Sequence, residues 1–256
     1  IYELPLVFYE QKIDAFLLKR MGIESRHAGL RAWKEMVRKF REPKRRVRIG
    51  VVGKYMDLVD AYKSVWEALA HGGIANDAAV EIVRIDSGDF EAEGADPAVI
   101  LKDVSGILVP GGFGHRGTLG MVAVARWARE NKMPYFGICL GMQILTIEWA
   151  RTILGWADAD SSEFRPDSKY PVVSLLEEQI EVKNYGGTMR LGASPSVLKE
   201  GSRVRDAYGA ETIQERHRHR YEFSNAYRAD MEKSGLRITG LTPDGSLVEC
   251  VEWPDH

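Results

Sequence analysis

From Val47 onward, short β-branched apolar runs are each followed, after a glycine-bearing turn, by a stretch with helical spacing. Val47–Val52, Val80–Ile85, Gly106–Val109 and Pro134–Ile138 read as buried strands, and Asp60–His71, Gly120–Asn131 and Gly141–Leu154 as helices. Parallel neighbours need a crossover, and crossover helices cover both faces of a sheet. The alternation therefore predicts a doubly wound, mostly parallel α/β sheet. After about Ser161 the helical rhythm fades. Pro171–Leu175, Thr212–Ile213, Leu236–Leu241 and Ser246–Trp253 predict mixed or antiparallel strands that extend the sheet at its edge.

Ahead of Val47 the pattern differs. Ile13, Phe16, Leu17 and Leu18 within Gln11–Met21, and Trp33, Val37 and Phe40 within Leu30–Phe40, predict two short amphipathic helices. Lys39, Arg41, Lys44, Arg45, Arg46 and Arg48 then crowd around Pro43, which reads as a solvated connection rather than a phosphate-binding patch. A boundary is placed there, giving a short helical N-terminal segment, residues 1–46, and a main domain, residues 47–256. Neither an internal repeat nor a low-complexity segment is present.

Composition narrows the classes. With 256 residues, 45% hydrophobic and 28% charged, the chain is an ordinary globular one, which excludes disorder and fibre. Thirty-five basic against 37 acidic side chains leave a net charge of -2, so nothing global draws it to nucleic acid or an acidic membrane. Cys139 and Cys250 are too few for a disulfide framework or a cysteine zinc site and fit a reducing, cytoplasmic setting. No run reaches the roughly 20 apolar residues of a membrane span. Ile1–Pro5 lack signal-peptide features, and a chain opening on Ile1 is expected to be a fragment.

Cys139 lies in Gly137-Ile-Cys-Leu-Gly141, after an apolar strand and before a helix, the pattern of a nucleophile elbow with sulfur in place of oxygen. A sharp strand-to-helix turn leaves no room for flanking Cβ atoms, hence the glycines. The helix N-terminus is expected to lower the thiol pKa. Pro110-Gly-Gly-Phe-Gly114 follows another strand and should reach the same carboxyl edge, where open α/β sheets bind ligands. Its bare backbone lets the N–H of Gly112 join that of Leu140 at a developing oxyanion. Read alone, such a cysteine is more often a small buried hydrophobe, and the pentapeptide is equally a plain turn. His217 and His219 share a strand face, but no nearby His or Cys completes a metal site, so no metal is expected. Trp127 and Trp149 read as core.

Val109-Pro-Gly-Gly-Phe-Gly114, Gly137-Ile-Cys-Leu-Gly-Met-Gln143, Gly186-Gly-Thr-Met-Arg-Leu-Gly192 and Glu215-Arg-His-Arg-His-Arg-Tyr-Glu222, with Gly53-Lys-Tyr55 and Asp60-Ala-Tyr62, together resemble the glutamine amidotransferase domain of the CTP synthase family. The first two motifs are shared more loosely by all class I glutamine amidotransferases. The resemblance covers Val47–His256 and implies a flavodoxin-like sheet with an antiparallel extension. Residues 1–46 resemble the tail of that family's synthetase domain and its linker.

By position, the resemblance implies that Cys139 is the nucleophile on the glutamine amide and that Gly112 and Leu140 supply the oxyanion N–H groups. Gln143 and Glu163 would contact the amino end of L-glutamine, and Arg220 its carboxylate; a zwitterion needs that charge pattern. Without the resemblance, Glu163 reads as a surface acid and Arg216, Arg218 and Arg220 as one charged strand face.

The implied activity is glutamine hydrolysis supplying ammonia for ATP-dependent amination of UTP to CTP, a ligase step of pyrimidine biosynthesis. ATP and Mg would belong to a synthetase domain absent here, and no cofactor to this chain. GTP, as allosteric activator, would lie near His115, Arg116 and Gly117. A homotetramer, with neither nucleic-acid nor membrane partner, is implied. The family also carries a catalytic His and Glu in a His-Pro-Glu-Phe-like motif after the last strand, whereas this sequence ends at Asp255-His256, and His256 resembles an earlier, non-catalytic histidine. Little turnover by residues 1–256 alone is thus expected. Another Cys-elbow amidotransferase or hydrolase, or a catalytically silent glutamine-binding module, are the alternatives.

Overall fold

In the computed structural model, residues 1–24, 29–175 and 189–255 are described. They form two compact units, Ile1–Arg48 with Tyr62–Ile82, and Ile49–Ala61 with Val83–His256.

The first unit carries α1 (Leu4–Glu10), α2 (Ile13–Met21), α3 (Arg31–Arg41) and α4 (Lys63–Ala75). The sequence pattern misses α1 because Pro5 looks like a break. At the start of a helix, however, its missing N–H costs nothing. α3 buries Val37 and α4 buries Gly73 and Ile74, whereas α1 and α2 bury no residue. The indole N–H of Trp33 donates to the Tyr2 carbonyl at 2.8 Å, and the Tyr2 hydroxyl donates to Glu67 at 3.2 Å.

The basic run is shorter as a connection than its composition suggests. α3 continues to Arg41 and a strand begins at Arg45, because the cations are matched locally: Arg41 with Glu3, Lys44 with Asp77, Arg48 with Glu81.

The parallel sheet has the order β2-β1-β3-β4, with β1 Arg45–Gly53, β2 Ala78–Asp86, β3 Gly106–Val109 and β4 Tyr135–Gly137. β1 pairs with β3 and β3 with β4, both parallel. All four residues of β3 are buried, which explains why a plain apolar run marks it well. After the single turn α5 (Pro97–Ile100), α6 (Thr118–Glu130) and α7 (Leu140–Thr152) supply Met121, Val124, Leu140, Ile144 and Ile147 to the core. The crossover helices start one to three residues from their expected positions. Trp149 is buried and Trp127 packs against the core, as expected of both.

Behind the elbow helix, Glu148 is fully buried. Arg129 of α6 holds it through two nitrogens, at 2.8–3.1 Å. Removing either partner would leave a buried charge alone, which is strongly destabilising.

The antiparallel part forms a sheet of its own instead of bonding to the parallel edge, with the order β11-β10-β7-β8. Its strands are β7 Arg190–Leu198, β8 Thr212–His219, β10 Arg237–Leu241 and β11 Val248–Glu252. A further sheet, β5-β6-β9, joins Ala159–Ser161, Tyr170–Ser174 and Glu222–Phe223. β8 extends well past Thr212–Ile213 because β7 pairs with it over its whole length, from Val197 opposite Thr212 to Arg190 opposite His219. Two six-residue helices, α8 (Arg203–Tyr208) and α9 (Arg228–Lys233), complete the α-helices among the described residues. The glycines at 186 and 187 and His256 lie outside the described residues.

Candidate active site

β3 and β4 end side by side, Val109 opposite Gly137, so the loop after one and the turn after the other leave the same sheet edge. At that turn Cys139 has φ +54° and ψ -102°, a conformation that a residue with a Cβ holds only when its surroundings enforce it. They do. A Cβ on Gly137 would lie 2.4 Å from the Gly141 carbonyl carbon, and one on Gly141 would lie 2.2 Å from the Val109 carbonyl oxygen. The Tyr135 hydroxyl donates to the Gly141 carbonyl at 2.8 Å. Cys139 thus occupies the N-cap position of α7.

The glycine-rich loop leans directly on it. A Cβ on Gly111 would stand 3.5 Å from Cys139 Cβ, and one on Gly112 would stand 3.1 Å from Leu140 Cδ2. The two residues expected to supply oxyanion donors are therefore neighbours, although the Leu140 side chain is itself fully buried. Beyond them, Gly114 N–H donates to Glu163 Oε1 at 2.8 Å, so Glu163 is a loop partner as well as a lining residue and not a free surface acid.

A cavity of about 280 Å³ opens over the thiol, lined by Gly112, Cys139, Gln143, Glu163 and Arg220 among others. Five of the six residues singled out from the sequence thus meet around one space, with Leu140 beneath it. Gln143 is buried and its amide donates to the Tyr221 carbonyl at 3.1 Å. Arg218 also lines the cavity, and Arg216 lines an adjoining one of about 240 Å³. Periodicity could not separate the three arginines, but burial does: Arg220 is half-buried while Arg216 and Arg218 are exposed.

The thiol corrects one expectation. Burial pushes Cys139 up to about 11, the nearby Glu163 and Glu222 carboxylates add to that, and the Leu140 N–H at the helix start lowers it too little to compensate. Desolvation outweighs the helix terminus here.

Next to the thiol lies a polar cluster with no apolar pattern to announce it. His217 Nδ1 and His219 Nε2 are 2.8 Å apart, His219 faces Glu222 at 3.3 Å, and Arg190 holds Glu249 at 2.6 Å. Burial lowers His219 to about 4 and raises Glu222 to about 7. Among the described residues no group of three or more His, Cys, Asp or Glu side chains is placed to hold a metal ion. Glu249 and Arg190 are far apart in sequence and carry no local signal; Lys54, which reaches the glycine-rich loop, stands in a recognisable motif but nothing in its spacing gives it a role.

A cysteine on a strained strand-to-helix elbow, under a glycine-rich loop at the carboxyl edge of a parallel sheet, is the arrangement that cysteine-nucleophile acyl transfer uses. Residues 57–255 match the model of the glutamine amidotransferase class-I family, and the chain belongs to that family. Within it the similarity is to CTP synthases. All 256 residues align with the CTP synthases of Desulfitobacterium hafniense at 51% identity and of Listeria innocua at 48%, and the chain spans 48% of the length of each. A solved structure of the Trypanosoma brucei CTPS glutaminase domain with bound acivicin is similar with a TM-score of 0.75 at 41% identity, covering 81% of both chains.

Proposed function

We propose that this chain is the glutaminase part of a CTP synthase and hydrolyses L-glutamine at Cys139. The ammonia would go to an ATP- and Mg-dependent synthetase domain of the same polypeptide that converts UTP to CTP. The observation that carries this reading is the convergence on one cavity of the strained Cys139, the bare Gly112 backbone, and Gln143, Glu163 and Arg220.

In this reading the sulfur of Cys139 attacks the side-chain amide carbon of glutamine, and its proton passes through a base to the departing nitrogen. The C–N bond breaks, ammonia leaves, and a γ-glutamyl thioester remains. Water then attacks the thioester, releasing glutamate and restoring the thiol. The N–H groups of Gly112 and Leu140 stabilise the oxyanion in both steps, which such preorganised donors do at a cost of about 10²–10³ in kcat when one is lost. Because Cys139 sits at about 11, the thiol keeps its proton at neutral pH and attack needs that base. The family resemblance assigns it to a His-Pro-Glu-Phe-like motif, which does not occur within residues 1–256. Arg220 takes the substrate carboxylate, while Glu163 and Gln143 take its ammonium.

The main domain is assigned to residues 47–256 and the preceding segment to the linker and synthetase tail. GTP as activator would meet His115, Arg116 and Gly117. Arg116 keeps 60% of its side chain exposed, which suits a phosphate, but it already faces Asp86 at 3.4 Å, so an anion there must displace that carboxylate. A tetramer and a cytoplasmic setting complete the proposal; among the described residues no helix is long and apolar enough to cross a membrane.

The test is incubation with a diazo-ketone glutamine analogue followed by mass spectrometry. An adduct on Cys139, absent from Cys139→Ala, supports the glutaminase. A folded sample that neither forms the adduct nor binds glutamine would favour the silent module.

A further inference from the structure

We propose that Lys54 is a positioning residue for the oxyanion step, a buried clamp that holds the glycine-rich loop in its working conformation; this rests on the glutaminase reading. Lys54 follows β1 and is 2% exposed. Its ammonium donates to the carbonyl of Phe113 at 3.3 Å and to that of Gly114. The loop returns the grip, since Arg116 Nη2 donates to the Lys54 carbonyl. The lysine stem runs under Gly112, where a Cβ would lie 3.5 Å from Lys54 Cδ. Its ammonium stands 5.4 Å from the centre of the Phe164 ring.

The physical need is clear from the loop's composition. Gly111, Gly112 and Gly114 sample more backbone conformations than any other residue type, and an oxyanion donor helps only if it is already aimed. Glu163 holds the loop by the Gly114 N–H, Lys54 by the Phe113 and Gly114 carbonyls. Gly114 is thus fixed through both of its backbone polar groups, two residues beyond the donor. A surface lysine would not explain the burial. A buried ammonium is tolerated only where it is hydrogen-bonded, and here the carbonyls of Phe113 and Gly114 meet that need, which ties the lysine to the loop. The charged groups around it are Glu163, Arg116 and Glu91.

The test uses the protein as its gene encodes it, with Lys54→Met as a near-isosteric neutral variant. Glutamine turnover is expected to fall about 10- to 100-fold with KM within about threefold, because only an interaction realised in the transition state is lost. Alkylation of Cys139 by iodoacetamide, which needs no oxyanion hole, should stay within about twofold of wild type. Amide hydrogen exchange at residues 111–116 should accelerate. In Lys54→Ala, added propylamine should restore part of the turnover, and this arm serves if the methionine variant folds poorly.

Unchanged kcat would overturn the proposal, as would a parallel loss of turnover, alkylation and affinity without amine rescue, which marks general damage. If the wild-type protein releases no ammonia from glutamine, the functional reading falls, and loop exchange alone decides whether Lys54 is a clamp.

Discussion

Gly141 packs so tightly against Val109 that a Cβ at position 141 would lie 2.2 Å from the Val109 carbonyl oxygen and 3.1 Å from its carbonyl carbon. The first helical turn after the nucleophile is thereby pressed onto the end of the neighbouring strand. Backbone on both sides leaves no flexible side chain to give way. Gly141→Ala is expected to lose roughly 1–3 kcal/mol or more in urea unfolding, the range for overpacking a tight site. It should also lose labelling of Cys139 by the diazo-ketone. Wild-type stability together with wild-type labelling would show that the elbow can relax, and that its glycine is not required by space.

Glu222 should make stability fall as pH rises. Burial raises its carboxyl from an unfolded value near 4.3 to about 7, so the folded state binds more protons between those limits. Its favourable contribution is therefore complete below the unfolded pKa and is lost as pH rises through 7. Glu222→Gln should match wild type near pH 4 and exceed it at pH 8 by roughly 3–4 kcal/mol in urea unfolding. His219 runs the other way: lowered to about 4, it favours the folded state as pH rises from 4 to 6.5. The comparison is therefore made between variant and wild type at each pH. A variant less stable than wild type at pH 8 would mean that the anion is needed by Arg190 or His219.

What the sequence could and could not reveal follows from where the stabilising partners are. β3 and the Cys139 elbow are legible because an apolar run and two glycines are local consequences of burial and crowding. β7 and most of β8 are not: Gln214 to Arg218 alternate no apolar residues, and the strand exists because β7 pairs with it. Site residues within motifs were legible as a set, but their separate roles were not. Glu163 looks like a surface acid until Gly114 is seen to donate to it. The link between Arg190 and Glu249 joins β7 to β11 and leaves no trace in either segment.

Cys139 is expected to be a slow nucleophile in residues 1–256. With the thiol at about 11, its thiolate fraction grows about tenfold per pH unit between pH 7 and 10. The rate of iodoacetamide alkylation at Cys139, followed by mass spectrometry, should rise in that proportion without a plateau. A plateau beginning below pH 8 would show that the helix start or a neighbouring group stabilises the thiolate more than burial opposes it.

Arg220→Ala is expected to weaken glutamine binding far more than Arg216→Ala or Arg218→Ala. Residues two apart on a strand share a face, so alternation alone treats all three alike. Arg220, however, lies just past the end of β8, half-buried in the cavity wall with Cys139, Gln143 and Glu163, whereas Arg216 and Arg218 are exposed. Desolvation strengthens a carboxylate contact at the first position and screening weakens it at the other two. Truncating one partner of a buried, hydrogen-bonded charge pair costs about 2–5 kcal/mol, while a rim charge changes mainly association rate and salt dependence. Calorimetric titration of glutamine into a Cys139→Ala background separates the cases, because no turnover consumes the ligand. A selective loss at Arg220 that added salt barely alters identifies a single carboxylate anchor. Equal, small and salt-sensitive losses at all three positions would show a diffuse cationic patch and remove Arg220 from the site.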